Sequence, residues 1–196
     1  MTRDTEYEAC LRALSTGHLV AFPTDTFYAL SCDPFDADAV DRLRAMKGSP
    51  AGRPLSLLLP PSFDVSAIGC RLSALAQDLI ERFWPGPLTL VVPCDGSLSG
   101  LVGGAPDGAV GIREPAEPTP TTMLSEWGRP VVGTSANPVG LPPARYADEV
   151  RDYFGDDVCT IAGHATGVAA STVVRVVEDR IELLREGMIP RSELPT

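Results

Sequence analysis

Proline and glycine punctuate this chain from end to end, nineteen and eighteen of them in 196 residues. They fall between periodic segments and not in one tract, so they mark tight turns joining short elements and no disordered linker. Between them lie short apolar runs: HLVAF (18–22), LSLLL (55–59), LTLVV (88–92), AVGI (109–112) and PVVGT (130–134). Each reads as a strand, and the unbroken LSLLL run reads as one buried on both faces. STVVRVV (171–177) and IELLR (181–185) read as a hairpin turning at Glu178 and Asp179.

Helical patterns alternate with these strands. Tyr7, Cys10, Leu11 and Leu14 share a helical face; Thr5 with Glu8 suggests a capping box, and Gly17 an end. Asp36 can cap a second helix bearing Val40, Leu43 and Met46, closed by Gly48. Leu72, Leu75, Ala76, Leu79 and Phe83 line a third, stopped by Pro85; shorter helices are expected over 121–127 and 147–154. This interleaving predicts an α/β (α+β) class with a mixed sheet. A single domain is expected over residues 1–196, with its core at about 5–190 and a frayed tail at SELPT.

Net charge is −10, which opposes a broad surface for tracking phosphates but leaves room for a local cationic pocket. Of sixteen cationic side chains only Lys47 is a lysine. It falls in the last turn of the second helix, before Gly48-Ser49-Pro50, and reads as a phosphate-facing charge. Five cysteines (10, 32, 70, 94, 159) show no paired metal spacing; with an odd count and no secretory leader, reduced thiols in the cytoplasm are expected. His18 and His164 have no partner motif. No apolar run approaches the roughly 20 residues of a membrane span.

Two polar turns follow strands. In PTDTFYAL (23–30), Thr24, Asp25 and Thr26 place two hydroxyls and a carboxylate in a turn. That chemistry either closes the turn on nearby backbone or clamps a small zwitterionic ligand, with Tyr28 as an aromatic wall. In GTSANPVG (133–140), Thr134, Ser135 and Asn137 suit a helix cap or tight turn, or a cradle for phosphate or sugar. WPGPLTLVV (84–92) reads as architecture.

PTDTFYAL, KGSP with Arg53-Pro54-Leu55, WPGPLTLVV, VGIREP, GTSANPVG, STVV and LLREG occur in order across residues 23–187. Together they resemble the YrdC-like family of threonylcarbamoyl-AMP synthases. The resemblance implies a twisted mixed sheet flanked by helices and open on one side as a ligand cleft. It also implies a reaction in which ATP, bicarbonate and L-threonine give threonylcarbamoyl-AMP and pyrophosphate. A transferase complex would then modify adenosine 37 of tRNA. By this resemblance Lys47, Ser135 and Asn137 are catalytic and bind ATP, and Arg113, Ser171 and Arg185 lie near the nucleotide; Thr134 of the same turn and Arg53, four residues beyond Ser49, are expected to bind ATP as well. Thr24, Thr26 and Tyr28 fall where the family contacts the amino acid. Magnesium is expected on the leaving pyrophosphate, without a dedicated metal cluster.

Three departures stand out. Ser49 replaces the family arginine two residues after the lysine, a loss worth roughly 2–4 kcal/mol of transition-state stabilisation unless Arg53 supplies the charge. Glu117 stands where the family often has histidine, so Ser49 and Glu117 together are expected to strip positive character from the site. Ala29 replaces a turn glycine, a methyl expected to narrow the backbone options or the pocket. Two other functions remain. One is carbamoyl-adenylate chemistry on a different substrate. The other is a double-stranded RNA-binding module using Arg42, Arg44, Arg53, Arg113, Arg145 and Arg175, which the net charge disfavours.

Overall fold

The computed structural model describes residues 3–50, 52–95, 98, 102, 108–177 and 180–195. Among the described residues the longer helices are α1 (Arg3–Ser15), α2 (Ala37–Lys47), α3 (Ala74–Phe83), α4 (Pro118–Trp127) and α5 (Ala147–Phe154). The strands are β1 (Leu19–Phe22), β2 (Ala29–Ser31), β3 (Ser56–Leu58), β4 (Leu88–Pro93), β5 (Ala109–Arg113), β6 (Val131–Ser135), β7 (Val158–Thr160), β8 (Thr172–Val177) and β9 (Arg180–Arg185). They form one mixed sheet in the order β7-β1-β2-β6-β3-β5-β4-β8-β9. Parallel pairs join β7 to β1, β3 to β5 and β4 to β8; the other neighbours run antiparallel.

Alternation along the strands builds two cores. Leu19 and Ala21 of β1 face one side and pack with Val40 and Leu43 of α2, Leu79 of α3 and Val150 of α5. Val20 and Phe22 face the other and pack with Tyr7, Cys10 and Leu14 of α1 and Met123 and Leu124 of α4. The sheet is thus covered by helices on both faces.

Local chemistry sets the boundaries of α2 well. The Asp36 carboxylate accepts from the Ala39 N–H, and Gly48 adopts φ 63°, the left-handed cap that leaves Lys47 as the last helical residue. Ser73 caps α3 in the same way. Elsewhere the boundaries move. Helix α1 begins at Arg3, so Thr5 lies inside its first turn and is not the cap. Helix α4 starts at Pro118, where proline suits the first turn because its missing N–H would have no helical partner. Strands β2 and β7 have three residues each, too few for a period to show in sequence. The turn expected at Glu178 and Asp179 lies outside the described residues.

Two further expectations are corrected. The C-terminal segment is anchored: Leu194 is buried, a 3-10 turn spans Arg191–Glu193, and the Arg191 N–H donates to the Glu186 carboxylate. The cysteines are not all free thiols. Cys70 and Cys94 face each other in an isolated antiparallel bridge and are joined as a disulfide, leaving Cys10, Cys32 and Cys159 free. A bridge between backbones 24 residues apart brought this pair together, and no spacing motif announced it. No helix among the described residues is long and apolar enough to cross a membrane.

Candidate active site

The antiparallel pairing of β2 with β6 brings the two polar turns together. Ala29 stands opposite Ser135, so the PTDT turn enters β2 just where β6 leaves into the Ser135–Asn137 turn. The joint is reinforced by the Ala136 N–H donating to the Tyr28 carbonyl (2.8 Å) and the Tyr28 N–H donating to the Ala144 carbonyl (2.9 Å). The C-terminus of α2 docks against the same turn, where the Val139 N–H donates to the Lys47 carbonyl (2.8 Å). Arg113 ends β5, and Ser171 and Arg185 stand together at the β8–β9 end. Thr24, Thr26, Tyr28, Lys47, Arg53, Arg113, Thr134, Ser135, Asn137, Ser171 and Arg185 all line one cavity of about 410 Å³. That size lies within the range of small-molecule sites.

Lys47 is 7% exposed. Its Nζ donates to the Ser135 carbonyl, to the Asn137 carbonyl (2.7 Å) and, at 3.5 Å, to Asn137 Oδ1. Three hydrogens therefore meet three neutral oxygens of the turn. Burial lowers the Lys47 pKa to about 8, with Arg53 adding to the effect by repulsion. The lysine read as phosphate-facing is thus also the clamp that shapes the turn. Ser135 Oγ donates to Asn137 Oδ1 (2.6 Å), and Asn137 Nδ2 donates to the carbonyls of Pro138 (3.1 Å) and Leu141 (2.6 Å).

Arg113 clamps the other turn. It is 5% exposed, and its guanidinium donates to the Gly86 carbonyl (2.9 Å), to Thr26 Oγ1 (3.0 Å) and to the Asp25 carboxylate. Burial disfavours its charge, and Asp25 opposes that effect. Asp25 Oδ2 is buried with no partner among the described residues. Thr24 Oγ1 donates to the Phe27 carbonyl (2.7 Å) and stands 2.9 Å from Thr26 Oγ1. Asp25 belongs to the turn noticed in sequence, but its pairing with Arg113, 88 residues away, left no trace there.

On the far side, the Arg185 guanidinium donates to the Ser171 carbonyl (2.9 and 3.1 Å), and Ser171 Oγ shares a hydrogen bond with Thr89 Oγ1 (2.8 Å). Thr89 and Ser56 line the cavity too, and sequence reading missed both. The floor needs small residues. A Cβ at Gly111 would come within 2.8 Å of Ser56 Oγ, and one at Gly133 within 2.5 Å of Leu58 Cγ.

The departures from the family pattern sort themselves by position. Ser49 and Arg53 both line the cavity, and Arg53 lies near enough to depress the Lys47 pKa. Glu117 does not line it. It precedes α4 and accepts from Thr166 Oγ1 (2.6 Å), beside a separate hollow with His164, so it removes no charge from the cleft. Ala29 is an ordinary strand residue paired with Phe22 and Ser135, and its methyl lines the cavity without backbone strain. Tyr28 lines the cavity but is fully buried, and its hydroxyl is spent on the Ile161 carbonyl (3.0 Å). It serves as wall and not as a polar contact.

Residues 12–187 match the Sua5/YciO/YrdC family model, described as telomere recombination. The threonylcarbamoyl-AMP synthase of Halorhodospira halophila is 35% identical over 175 residues, covering 89% of this chain and 91% of the relative. That of Pyrococcus abyssi is 36% identical over 180 residues, but this chain spans about half (53%) of its length. The crystal structure of P. abyssi Sua5 complexed with L-threonine superposes with a TM-score of 0.88 at 33% identity, over 98% of this chain and 57% of that one. E. coli YciO shares the fold with a TM-score of 0.81 at 22% identity, over 95% and 91% of the two chains. The ordered motifs, the nine-stranded mixed sheet and these matches lead to one conclusion: the chain belongs to the Sua5/YciO/YrdC family.

Proposed function

We infer that this chain is a threonylcarbamoyl-AMP synthase, an enzyme that uses ATP and L-threonine with bicarbonate and releases pyrophosphate. The observation that carries this reading is the convergence of a buried cation from α2, the Ser135–Asn137 turn and the PTDT turn on one cavity of about 410 Å³. Relatives that cover most of this chain bear that name.

The chemistry follows from the groups present. The amine of the amino acid captures carbon dioxide or bicarbonate as a carbamate. A carbamate oxygen then attacks the α-phosphorus of ATP, the bond to the bridging oxygen breaks, and pyrophosphate leaves. No protein nucleophile is required, so catalysis rests on positioning and on charge neutralisation. Lys47 and Arg53 supply positive charge beside Ser135 and Asn137, which orient the triphosphate and the carbamate. Thr26, held by Arg113, and Thr24 beside it receive the amino acid. Ser171 and Arg185 close the nucleotide side. Among the described residues no three His, Cys, Asp or Glu side chains cluster as metal ligands. Magnesium fits as an ion carried in on the triphosphate, the usual way this cation reaches nucleotide sites.

The product carries an activated threonylcarbamoyl group, and this reading assigns its consumption to a transferase acting on tRNA. Of the six arginines named for the RNA-binding alternative, Arg53 and Arg145 are exposed, but others are withdrawn from a basic face. Arg44 and Arg113 are buried, and Arg42 is tied to the Gly17 carbonyl. The test is pyrophosphate release by the purified chain. It should depend on ATP, bicarbonate and L-threonine together, with threonylcarbamoyl-AMP detected by mass. Pyrophosphate release that is indifferent to L-threonine would defeat the reading.

A further inference from the structure

Cys10 and Cys159 are 149 residues apart in sequence, yet their sulfurs lie 3.3 Å apart on the side of the sheet edge formed by β7. Neither lines the cleft. Cys10, on the inner face of α1, has no exposure; Cys159, in β7, is half-buried. Cys159 forms part of the wall of a separate open groove of about 510 Å³, shared with Arg12, His18 and Arg151. One sulfur is therefore shielded and the other reachable by a small molecule.

The proton between them is unequally held. The Cys10 thiol donates to the Cys159 sulfur. That hydrogen bond lowers the Cys159 pKa to about 7; burial opposes it, the Arg12 guanidinium assists and Glu6 opposes. The same contact, burial and nearby negative charge push Cys10 up. Negative charge thus collects on the more exposed sulfur, and a thiolate is the form that reacts. Cys32 provides the contrast. It is fully buried, and burial pushes it up to about 12. Cys70 and Cys94 are already bridged.

We propose that Cys10 and Cys159 form a peroxide-reactive dithiol site, with Cys159 as the attacking sulfur and Cys10 as the resolving one. The co-reactant is a hydroperoxide, ROOH. The Cys159 thiolate attacks its terminal oxygen, the O–O bond breaks, and the electron pair leaves with the alkoxide, which takes a proton from solvent to become ROH. Cys159 is then a sulfenic acid. The Cys10 sulfur attacks the Cys159 sulfur, the S–O bond breaks, and the departing hydroxide takes the Cys10 proton as water. Two thiols are oxidised by two electrons, and the peroxide is reduced to an alcohol and water. The new bond ties α1 to β7, two residues from Ile161, whose carbonyl holds the Tyr28 hydroxyl at the cleft wall.

The whole chain, treated with one equivalent of hydrogen peroxide, alkylated in denaturant and digested without reductant, tests this. A cross-linked Cys10–Cys159 peptide should appear, and alkylation should be lost at both positions at least about tenfold faster than at Cys32. In Cys10→Ser the sulfenic acid should persist on Cys159 and be captured by dimedone. In Cys159→Ser, Cys10 should stay alkylatable. The proposal is overturned if the wild-type chain keeps both thiols under conditions that oxidise glutathione, or if the sulfenic acid forms on Cys10 or Cys32 instead. The wild-type measurement stands by itself should either serine variant fail to fold.

Discussion

Two turns lie side by side at the paired ends of β2 and β6, and each is held by a buried cation from a distant element, but the two cations are compensated differently. Arg113 meets a carboxylate, Asp25, together with a hydroxyl and a carbonyl. Lys47 meets three neutral oxygens. Neutral dipoles offset less of the cost of burying charge than a carboxylate does. Burial consequently brings Lys47 down to about 8, with Arg53 pushing the same way, whereas Asp25 works against the effect of burial on Arg113. The comparison teaches which half suits an anion. On the proposed function, the Lys47 half, whose positive charge meets no carboxylate, would take the triphosphate, and the PTDT half, nearly balanced, would take the zwitterionic amino acid.

Removing the uncompensated charge is the harshest test of this contrast. Lys47→Ala should lower the rate of pyrophosphate release by about 10²–10³-fold, the usual effect of deleting a preorganised donor to developing charge. A rate equal to wild type would take Lys47 out of the mechanism. Breaking the balanced half should act more on folding. Asp25→Asn leaves the Arg113 charge buried without its carboxylate and should cost about 3 kcal/mol of stability in denaturant unfolding, with KM for L-threonine rising more than KM for ATP. A rise confined to ATP would reverse the assignment of the two halves.

The pH response sharpens the same comparison. In the proposed reaction Lys47 acts as a cation, so kcat/KM for ATP should fall as pH rises through about 8. In Lys47→Arg that limb should move beyond the accessible range, because arginine stays protonated. Stability has the opposite slope. With a folded value near 8 and an ordinary value of 10.5, the unfolded chain binds more protons between them, so this group's contribution rises with pH across that window. Unfolding midpoints of Lys47→Met should show a flatter dependence there. The smallest effect belongs to Ser49. Because Arg53 already shares its cavity, Ser49→Arg should tighten ATP binding by no more than about threefold, while Arg53→Ala should weaken it by about tenfold. A larger gain from Ser49→Arg would show that Arg53 does not fill the role.

Local signals made much of the framework legible. Asp36 and Gly48 bracket α2 because a carboxylate can accept from free N–H groups and glycine tolerates the left-handed cap. That bracketing is what put Lys47 in the last turn. The short apolar runs HLVAF and LSLLL mapped onto β1 and β3 because runs of that length, bounded by breakers, suit strands buried on both faces. The three-residue strands β2 and β7 had no period to read. Leu194 looked like tail because its anchoring depends on packing against residues elsewhere in the chain. Glu117 was placed in the cleft by likeness of string, but as the residue before α4 it turns toward Thr166.

From sequence alone came most of the elements and their order, the short β2 and β7 excepted, the family likeness, and the chemical content of the turns after β1 and β6. These rest on caps, periodicity and breakers that act within a few residues. Only the tertiary structure decided which acceptors face Lys47, that Asp25 pairs with Arg113, that Cys70 joins Cys94 and that Cys10 touches Cys159. Such pairings depend on strand order and on burial by distant segments. The energy of a charge or thiol is set by its neighbours in space, and those neighbours lie 88 and 149 residues away in the chain.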